Sequence, residues 1–151
     1  AVREELLKPV RVEDPQLGVL TLNRALGWYE GEIAWCARTV PLKVSPEAPE
    51  RPEAALDVAR ALAADAERWR DRVEDFAVQA LLGLKNDNWL EDDEAPVDEA
   101  GFKARMTLTS ITADEGGTFS FWHDDGDLFW GHAILVTGDL DTGPTDADIP
   151  G

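Results

Sequence analysis

The sequence predicts an α+β fold in which two β-meanders, about six mostly antiparallel strands in all, carry helices on one face. Apolar residues alternate with polar ones between residues 17 and 45, which is typical of half-buried strands. From Glu53 to about Leu84 they recur every three or four residues, which indicates one long helix or two packed helices. Alternation returns near Met106, after a short helical segment. This segregation of strands from helices favours antiparallel pairing.

The first meander is predicted over residues 17–45, after an entry segment at residues 1–16. Its three strands are "LGVLTLNR", "WYEGEIAW" and "RTVPLKV", with a turn near Gly27 between the first two. Pro41 has no amide hydrogen, so its position in the third strand predicts an edge strand or a bulge. Cys36 in "IAWCARTV" is predicted to be a small apolar strand residue.

Residues 46–97 are predicted to hold a Pro-rich linker, the long helix and an acidic loop, "NDNWLEDDE". A single straight helix of this length would be unusual in a small domain, so a break is expected near Asp65 to Trp69. The acidic loop is interpreted as solvated, since its pattern does not match a calcium loop. The residues predicted to face inward along the helix are Val58, Leu62, Ala66, Trp69, Val73, Phe76, Ala80 and Leu84.

Residues 98–151 complete what is predicted to be a single domain of residues 1–151. Asp98 is expected to cap a short helix that turns Phe102 and Met106 inward. The three strands of the second meander are "MTLTSITAD", "TFSFWH" and "HAILVTGDL". The tail "DTGPTDADIPG" is rich in Gly, Pro and Asp and is predicted to be irregular and exposed. Whether the two meanders form one sheet does not follow from the sequence.

The charge of the chain restricts its partners. With 31 acidic and 14 basic residues, the net charge is −17. Such a charge disfavours binding to nucleic acid or to an anionic membrane, since both are polyanions, and it suits a basic protein partner. No apolar run reaches the roughly 20 residues of a membrane span, and the first residues do not show the pattern of a secretory signal. A cytoplasmic location is therefore predicted, while the oligomeric state stays open.

No catalytic residue and no cofactor are predicted. The chain lacks a Gly-rich phosphate loop and a nucleophile elbow. Its single cysteine excludes an internal disulfide and a multi-cysteine zinc site. The sequence therefore favours a binding protein over an enzyme. It starts with Ala1, so either an initiator methionine was removed or the chain is part of a longer protein.

The block "FWHDDGDLFWGH", residues 121–132, concentrates the candidate site residues and admits three interpretations. The first is a turn with Gly126 at a positive φ and Asp side chains that cap nearby amides. The second is a zinc, iron or manganese site. The third is a surface that binds a partner or a small ligand, since Trp is common at binding hot spots. The metal ligands would be His123, Asp125, Asp127 and His132. The partner- or ligand-binding residues would be Trp122, Asp127, Phe129, Trp130 and His132.

Four segments together resemble an uncharacterised bacterial family, domain of unknown function 2262. They are "LGVLTLNRALGWYEGEIAW", "NDNWLEDDE", "FKARMTLTSI" and "DDGDLFWGHAILV", and the resemblance runs from about Leu17 to Gly151. It implies a bacterial, intracellular, single-domain protein and brings no established activity or catalytic residue. Small acidic α+β proteins of this kind are similar, at the level of protein class, to the immunity proteins that neutralise toxin domains.

The function predicted from these features is that of a non-enzymatic, cytoplasmic binding protein. Its partner would be a basic protein, for which an immunity-type inhibitor of a basic toxin is one example. A metal-binding module or metal-dependent enzyme centred on residues 123–132 is the first alternative. A small-ligand-binding or structural module is the second.

Overall fold

Eight strands and three helices make up residues 9–150, the part of the chain that the computed structural model describes. The strands are β1 (Arg11–Asp14), β2 (Gly18–Asn23), β3 (Trp28–Trp35), β4 (Arg38–Ser45), β5 (Thr107–Asp114), β6 (Thr118–Asp124), β7 (Ile134–Asp139) and β8 (Gly143–Asp148). The helices are α1 (Glu53–Ala64), α2 (Ala66–Asn88) and α3 (Glu99–Arg105). The fold class is α+β, as predicted.

All eight strands form one sheet in sequence order, β1 to β8. Neighbouring strands are antiparallel except β4 and β5, which pair in parallel where the three helices connect the two halves of the sheet. Such a parallel pair requires a crossover connection, and the helices provide it. The two predicted meanders therefore share one sheet.

The strand count of about six was too low, because a strand lies outside each predicted meander. The last part of the predicted entry segment forms β1, which pairs with β2; the first eight residues of that segment lie outside the described residues. Buried Asp14 accepts hydrogen bonds from Gln16 N, Leu17 N and Arg60 Nε of α1, which anchors β1 to the helices.

The tail was predicted to be irregular, but it forms β8 on the edge of the sheet beside β7. Pro144 is tolerated there because an edge strand leaves one row of amides unpaired. Arg72 of α2 packs against Gly143, and its guanidinium lies 4.6 Å from the Trp69 ring centroid. These contacts hold a segment of low β-propensity against the helices.

The helices cover one face of the sheet. The chain breaks at Asp65 (φ −138°, ψ 42°), within the predicted range, so that α1 packs on β3 to β5 and α2 on β7 and β8. The buried stripe of α2 is Trp69, Val73, Ala77, Val78, Leu81 and Lys85. The predicted stripe was therefore wrong at its end, because Ala80 and Leu84 are exposed and Lys85 is buried instead.

The core lies between the helices and the inner face of the sheet. Phe119, Phe121 and His123 of β6 face inward and Trp122 faces outward, as strand alternation predicts. Asp98 caps α3 through a 2.7 Å bond from Gly101 N, and Phe102 is buried beneath it. Both predictions for this helix are confirmed.

Two predictions for the centre of the sheet were wrong. Although Pro41 was expected on an edge strand or at a bulge, β4 lies between β3 and β5, and its register with β3 is regular through Pro41. Pro41 is accommodated because pairing with β5 begins only at Leu42. Cys36 was expected in a strand, but it forms the two-residue turn between β3 and β4 with Ala37, and both have positive φ (48° and 66°).

No helix within residues 9–150 is long and apolar enough to cross a membrane.

We expect Gly138→Ala to destabilise the protein by about 2 kcal/mol, because overpacking between paired strands displaces their backbones. A Cβ at Gly138 would lie 2.2 Å from the carbonyl oxygen of Gly143 in β8. Urea unfolding measures the change. Gly116→Ala is the matched control, since nothing lies within 4 Å of its added Cβ. Equal stability of the two variants would contradict the β7–β8 pairing.

Candidate functional site: an acidic–aromatic cleft

The loop between β6 and β7 is organised by the buried carboxylate of Asp125. Its Oδ1 accepts a hydrogen bond from Asp127 N at 3.1 Å. Its Oδ2 accepts from Phe129 N at 2.8 Å and from Gly131 N at 3.0 Å. One side chain thus satisfies three amides of the loop, as expected for an Asp in a tight turn. The interpretation of the block as a turn with Asp caps is confirmed.

Four residues of this loop have left-handed backbone conformations: Gly126 (φ 53°), Asp127 (φ 63°), Trp130 (φ 57°) and Gly131 (φ 95°). Glycine is required at 126, because a Cβ there would lie 2.4 Å from the carbonyl oxygen of Arg105. Asp127 and Trp130 carry a Cβ, which disfavours a positive φ, so they adopt this conformation at a cost in free energy. The bonds to Asp125 hold them in it.

The loop carries two consecutive aromatic residues, of which one has its ring in the core and the other has its ring in solvent. Phe129 is buried and contacts Phe102 edge to face at 6.0 Å between centroids. Trp130 is 54% exposed, although its Nε1 donates to the carbonyl oxygen of Trp89 at 3.1 Å. The ring of Trp89 lies 4.8 Å from that of Trp130. Trp130 is therefore fixed at its inner edge and open to solvent elsewhere.

An ion network around the buried side chain of Lys85 joins this loop to the acidic loop that follows α2. Lys85 is fully buried, and its Nζ donates to the Trp89 carbonyl oxygen at 2.8 Å and to Glu94 Oε1 at 2.7 Å. Arg105 Nη1 donates to Glu94 Oε2 at 2.9 Å, and Arg105 Nε donates to the Gly126 carbonyl oxygen at 2.9 Å. One carboxylate thus pairs with two cations and connects α2, α3 and both loops.

The electrostatic consequence falls on Glu94. Hydrogen bonds from Lys85 first, then Arg105 and the Glu91 amide, lower the pKa of the Glu94 carboxyl to about 2. The carboxylate is therefore charged over the whole physiological range and its oxygens are occupied within the protein.

The two loops enclose an open cleft of about 850 Å³. We call it the acidic–aromatic cleft. Its lining residues are Leu90, Glu91, Asp92, Asp93, Glu94, Arg105, Asp127 and Trp130. Glu91, Asp92, Asp93 and Asp127 are exposed there. Because Arg105 is paired with Glu94, the side chains offered to a partner are an indole and carboxylates.

The predicted partner- or ligand-binding residues divide between this cleft and a second depression. Asp127 and Trp130 line the cleft, whereas Phe129 belongs to the core. Trp122, Trp130 and His132 line a shallow depression of about 530 Å³ with Gly131, Ala133 and Pro150. Trp130 is shared, so it forms the ridge between the two.

The two histidines of the block occupy different environments. His123 is buried at the end of β6, with Nδ1 3.4 Å from the Ile134 carbonyl oxygen, and burial lowers its pKa to about 4. His132 was predicted to lie in a strand, but it precedes β7, and its ring meets Trp89 at 5.5 Å. His123 therefore acts as a neutral core residue near pH 7.

The metal hypothesis gains no support from the described residues. Across residues 9–150, no three His, Cys, Asp or Glu side chains form a group that could hold a metal ion. Asp125 is engaged by loop amides and His123 lies in the core. The set His123, Asp125, Asp127 and His132 remains a prediction from the sequence.

Sequence reasoning missed Lys85, Glu94 and Arg105, which shape the cleft. One signal for Lys85 was present, because it continues the four-residue spacing of Trp69, Val73, Ala77 and Leu81. A lysine on a buried stripe predicts a nearby carboxylate. The chain spacing alone does not identify Glu94 as that partner.

The chain matches, over residues 14–149, the model of a family described as "Uncharacterized protein conserved in bacteria (DUF2262)". The match covers most of the chain, so the chain belongs to this family, which confirms the resemblance. No curated protein and no solved structure matches it.

We expect Glu94→Gln to destabilise the protein by about 3 kcal/mol, because a buried lysine then loses its counterion. Urea unfolding at pH 7 measures the loss. Adding Lys85→Met should recover part of it, since the buried charge is then absent. A double variant no more stable than Glu94→Gln would contradict the pairing.

Stability should also depend on pH through His123. Its pKa is about 4 in the folded state and 6.5 for a histidine in the unfolded chain, so the unfolded chain binds the proton first as pH falls. The resulting loss in the free energy of unfolding is absent above pH 6.5, grows as pH falls towards 4, and reaches about 3 kcal/mol. Urea titrations of the wild type and His123→Met should diverge in this window. Parallel pH profiles would refute the burial of a neutral imidazole.

Proposed function

We propose that this bacterial protein, a DUF2262 family member, is a cytoplasmic binding protein that holds a basic segment of a partner protein in its acidic–aromatic cleft. The observation that carries the proposal is the exposed indole of Trp130, which is held among carboxylates by a strained loop. Inhibition of a basic toxin is one biological role of this kind.

The exposure of Trp130 lowers the stability of the fold, and folding alone does not require it. Trp buries more apolar surface than any other side chain when it enters a core or an interface. Here more than half of it stays in solvent, although Phe129 beside it is fully buried. The left-handed φ of Trp130 adds backbone strain. Exposed and strained aromatic residues of this kind are characteristic of binding sites, where Trp is a frequent hot spot.

The charges around Trp130 define the partner. Glu91, Asp92, Asp93 and Asp127 share the cleft with the indole. A Lys or Arg side chain can lie over the indole face in a cation–π contact while the carboxylates pair with its charge. The net charge of −17 would also speed the approach of a basic partner.

The cleft is held rigid before any partner arrives. Asn86 Nδ2 donates to the Val97 carbonyl oxygen at 2.9 Å, and Val97 N donates to Asn86 Oδ1 at 2.8 Å. These bonds clamp one end of the acidic loop to α2, while Lys85 and Glu94 hold its middle. A preorganised surface loses less conformational entropy on binding, which favours affinity.

The proposal predicts that partner binding depends on Trp130 and on the exposed acids. The protein, coupled to a resin, is used to capture proteins from a lysate of its source bacterium. We expect a basic protein to be retained, to lose at least tenfold in affinity with Trp130→Ala, and to be released by salt. Asp92→Asn with Asp93→Asn should slow its association.

Two matched controls separate the cleft from general surface properties. Leu26→Ala removes an apolar side chain that is equally exposed (56%) in the β2–β3 turn. Asp146→Asn with Asp148→Asn removes two exposed charges from β8. Both should bind like the wild type. If the captured partner is acidic, or if Leu26→Ala weakens it as much as Trp130→Ala, the proposal is wrong.

A further inference from the structure

A second, smaller pocket of about 230 Å³ lies under the β3–β4 turn, between α2 and strands β5 and β6. None of its residues lines the acidic–aromatic cleft. Its apolar wall is formed by Trp35, Val73, Met106, Leu108 and Phe121. The rings of Trp35 and Phe121 pack edge to face at 5.6 Å between centroids, so this wall is held in place by the core. A ligand in the pocket would bury an apolar group against it.

Two charged side chains that line this pocket have no ionic partner. Within residues 9–150, the carboxylate of Glu74 in α2 forms no hydrogen bond or ion pair, although the residue is half-buried and that burial raises its pKa. Arg38, at the start of β4, is exposed and forms no ion pair within the same residues. Its Nη2 donates to the Leu108 carbonyl oxygen at 3.3 Å. A carboxylate and a guanidinium therefore border one small space without pairing with each other.

The other titratable groups of the lining are paired or neutral. Arg70 donates to Asp71 Oδ1 from both Nε and Nη2, at 3.2 and 3.0 Å. His123 adds no cation near pH 7, because burial lowers its pKa to about 4. Burial also raises the pKa of the Cys36 thiol, so this group adds no anion. The pocket therefore offers a ligand one unpaired negative charge, one unpaired positive charge and an apolar wall.

We propose that this pocket, the Glu74 pocket, binds a small apolar α-amino acid as its zwitterion. The ammonium group pairs with Glu74, the carboxylate pairs with Arg38, and the side chain of the ligand packs on the apolar wall. Arg suits this role because its planar guanidinium matches the geometry of a carboxylate. The volume lies below the roughly 300–1,000 Å³ of sites for drug-sized ligands, as expected for a single amino acid. The site is independent of the acidic–aromatic cleft and of the basic partner.

The test compares L-leucine with three probes that each lack one part of it, by isothermal titration calorimetry at pH 7. Isoamylamine lacks the carboxylate, isocaproate lacks the ammonium group, and glycine lacks the apolar side chain. We expect leucine to bind in a saturable way. Each probe should bind about tenfold more weakly or worse, because it loses either a charge-assisted hydrogen bond or the buried apolar group. The wild-type protein alone thus tests all three parts of the proposed site.

Two variants assign each charge of the ligand to its partner. Glu74→Gln should weaken the binding of leucine and isoamylamine and leave that of isocaproate unchanged, whereas Arg38→Gln should show the reverse pattern. Asp87→Asn and Arg68→Gln are the matched controls, since both residues are exposed on α2 and neither lines the pocket. They should bind every probe like the wild type, and so should Trp130→Ala. The proposal is overturned by any of three results: no saturable binding of leucine, equal affinity of the wild type for leucine and a single-charge probe, or equal losses for both single-charge probes in Glu74→Gln.

Discussion

The buried ammonium group of Lys85 is the constraint on which the surface of this protein depends. A charge with no access to water must be paired and hydrogen-bonded, since the uncompensated cost is several kcal/mol. Glu94 and the Trp89 carbonyl oxygen meet that need, which draws the acidic loop over the end of α2. Glu94 also accepts a hydrogen bond from Arg105, and Arg105 donates a second one to the carbonyl oxygen of Gly126. A single internal charge thereby brings two distant loops to one cleft.

Asp125 imposes a second constraint that works with the first. Its carboxylate replaces water for three amides, so the loop can keep left-handed residues that would otherwise relax. As a result, the ring of Phe129 is buried in the core and the ring of Trp130 is exposed to solvent. Strain of this type is stored where the surrounding structure over-determines the backbone. Here it keeps an indole in solvent beside four exposed acids.

Much of the fold was predictable because local patterns specify it. Strand alternation identified the inner face of β6, the length of the helical pattern indicated a break near Asp65, and Asp98 marked the start of α3. The missed strands, β1 and β8, have weak patterns and depend on distant contacts. Asp14 binds Arg60, and Gly143 packs under Arg72. Strand propensity is a property of such surroundings more than of the residues themselves.

The sequence alone determined the α+β class, the order of most elements, the acidic surface and the block that contains Trp130. Only the tertiary structure decided that the two meanders share one sheet, that Glu94 pairs with both Lys85 and Arg105, and that the Trp35 indole N–H is buried without a partner within residues 9–150. The physical reason is the separation along the chain of the residues that interact. Periodicity and capping act between residues a few positions apart, whereas burial of a charge or of an indole N–H depends on segments that meet only when the chain is folded.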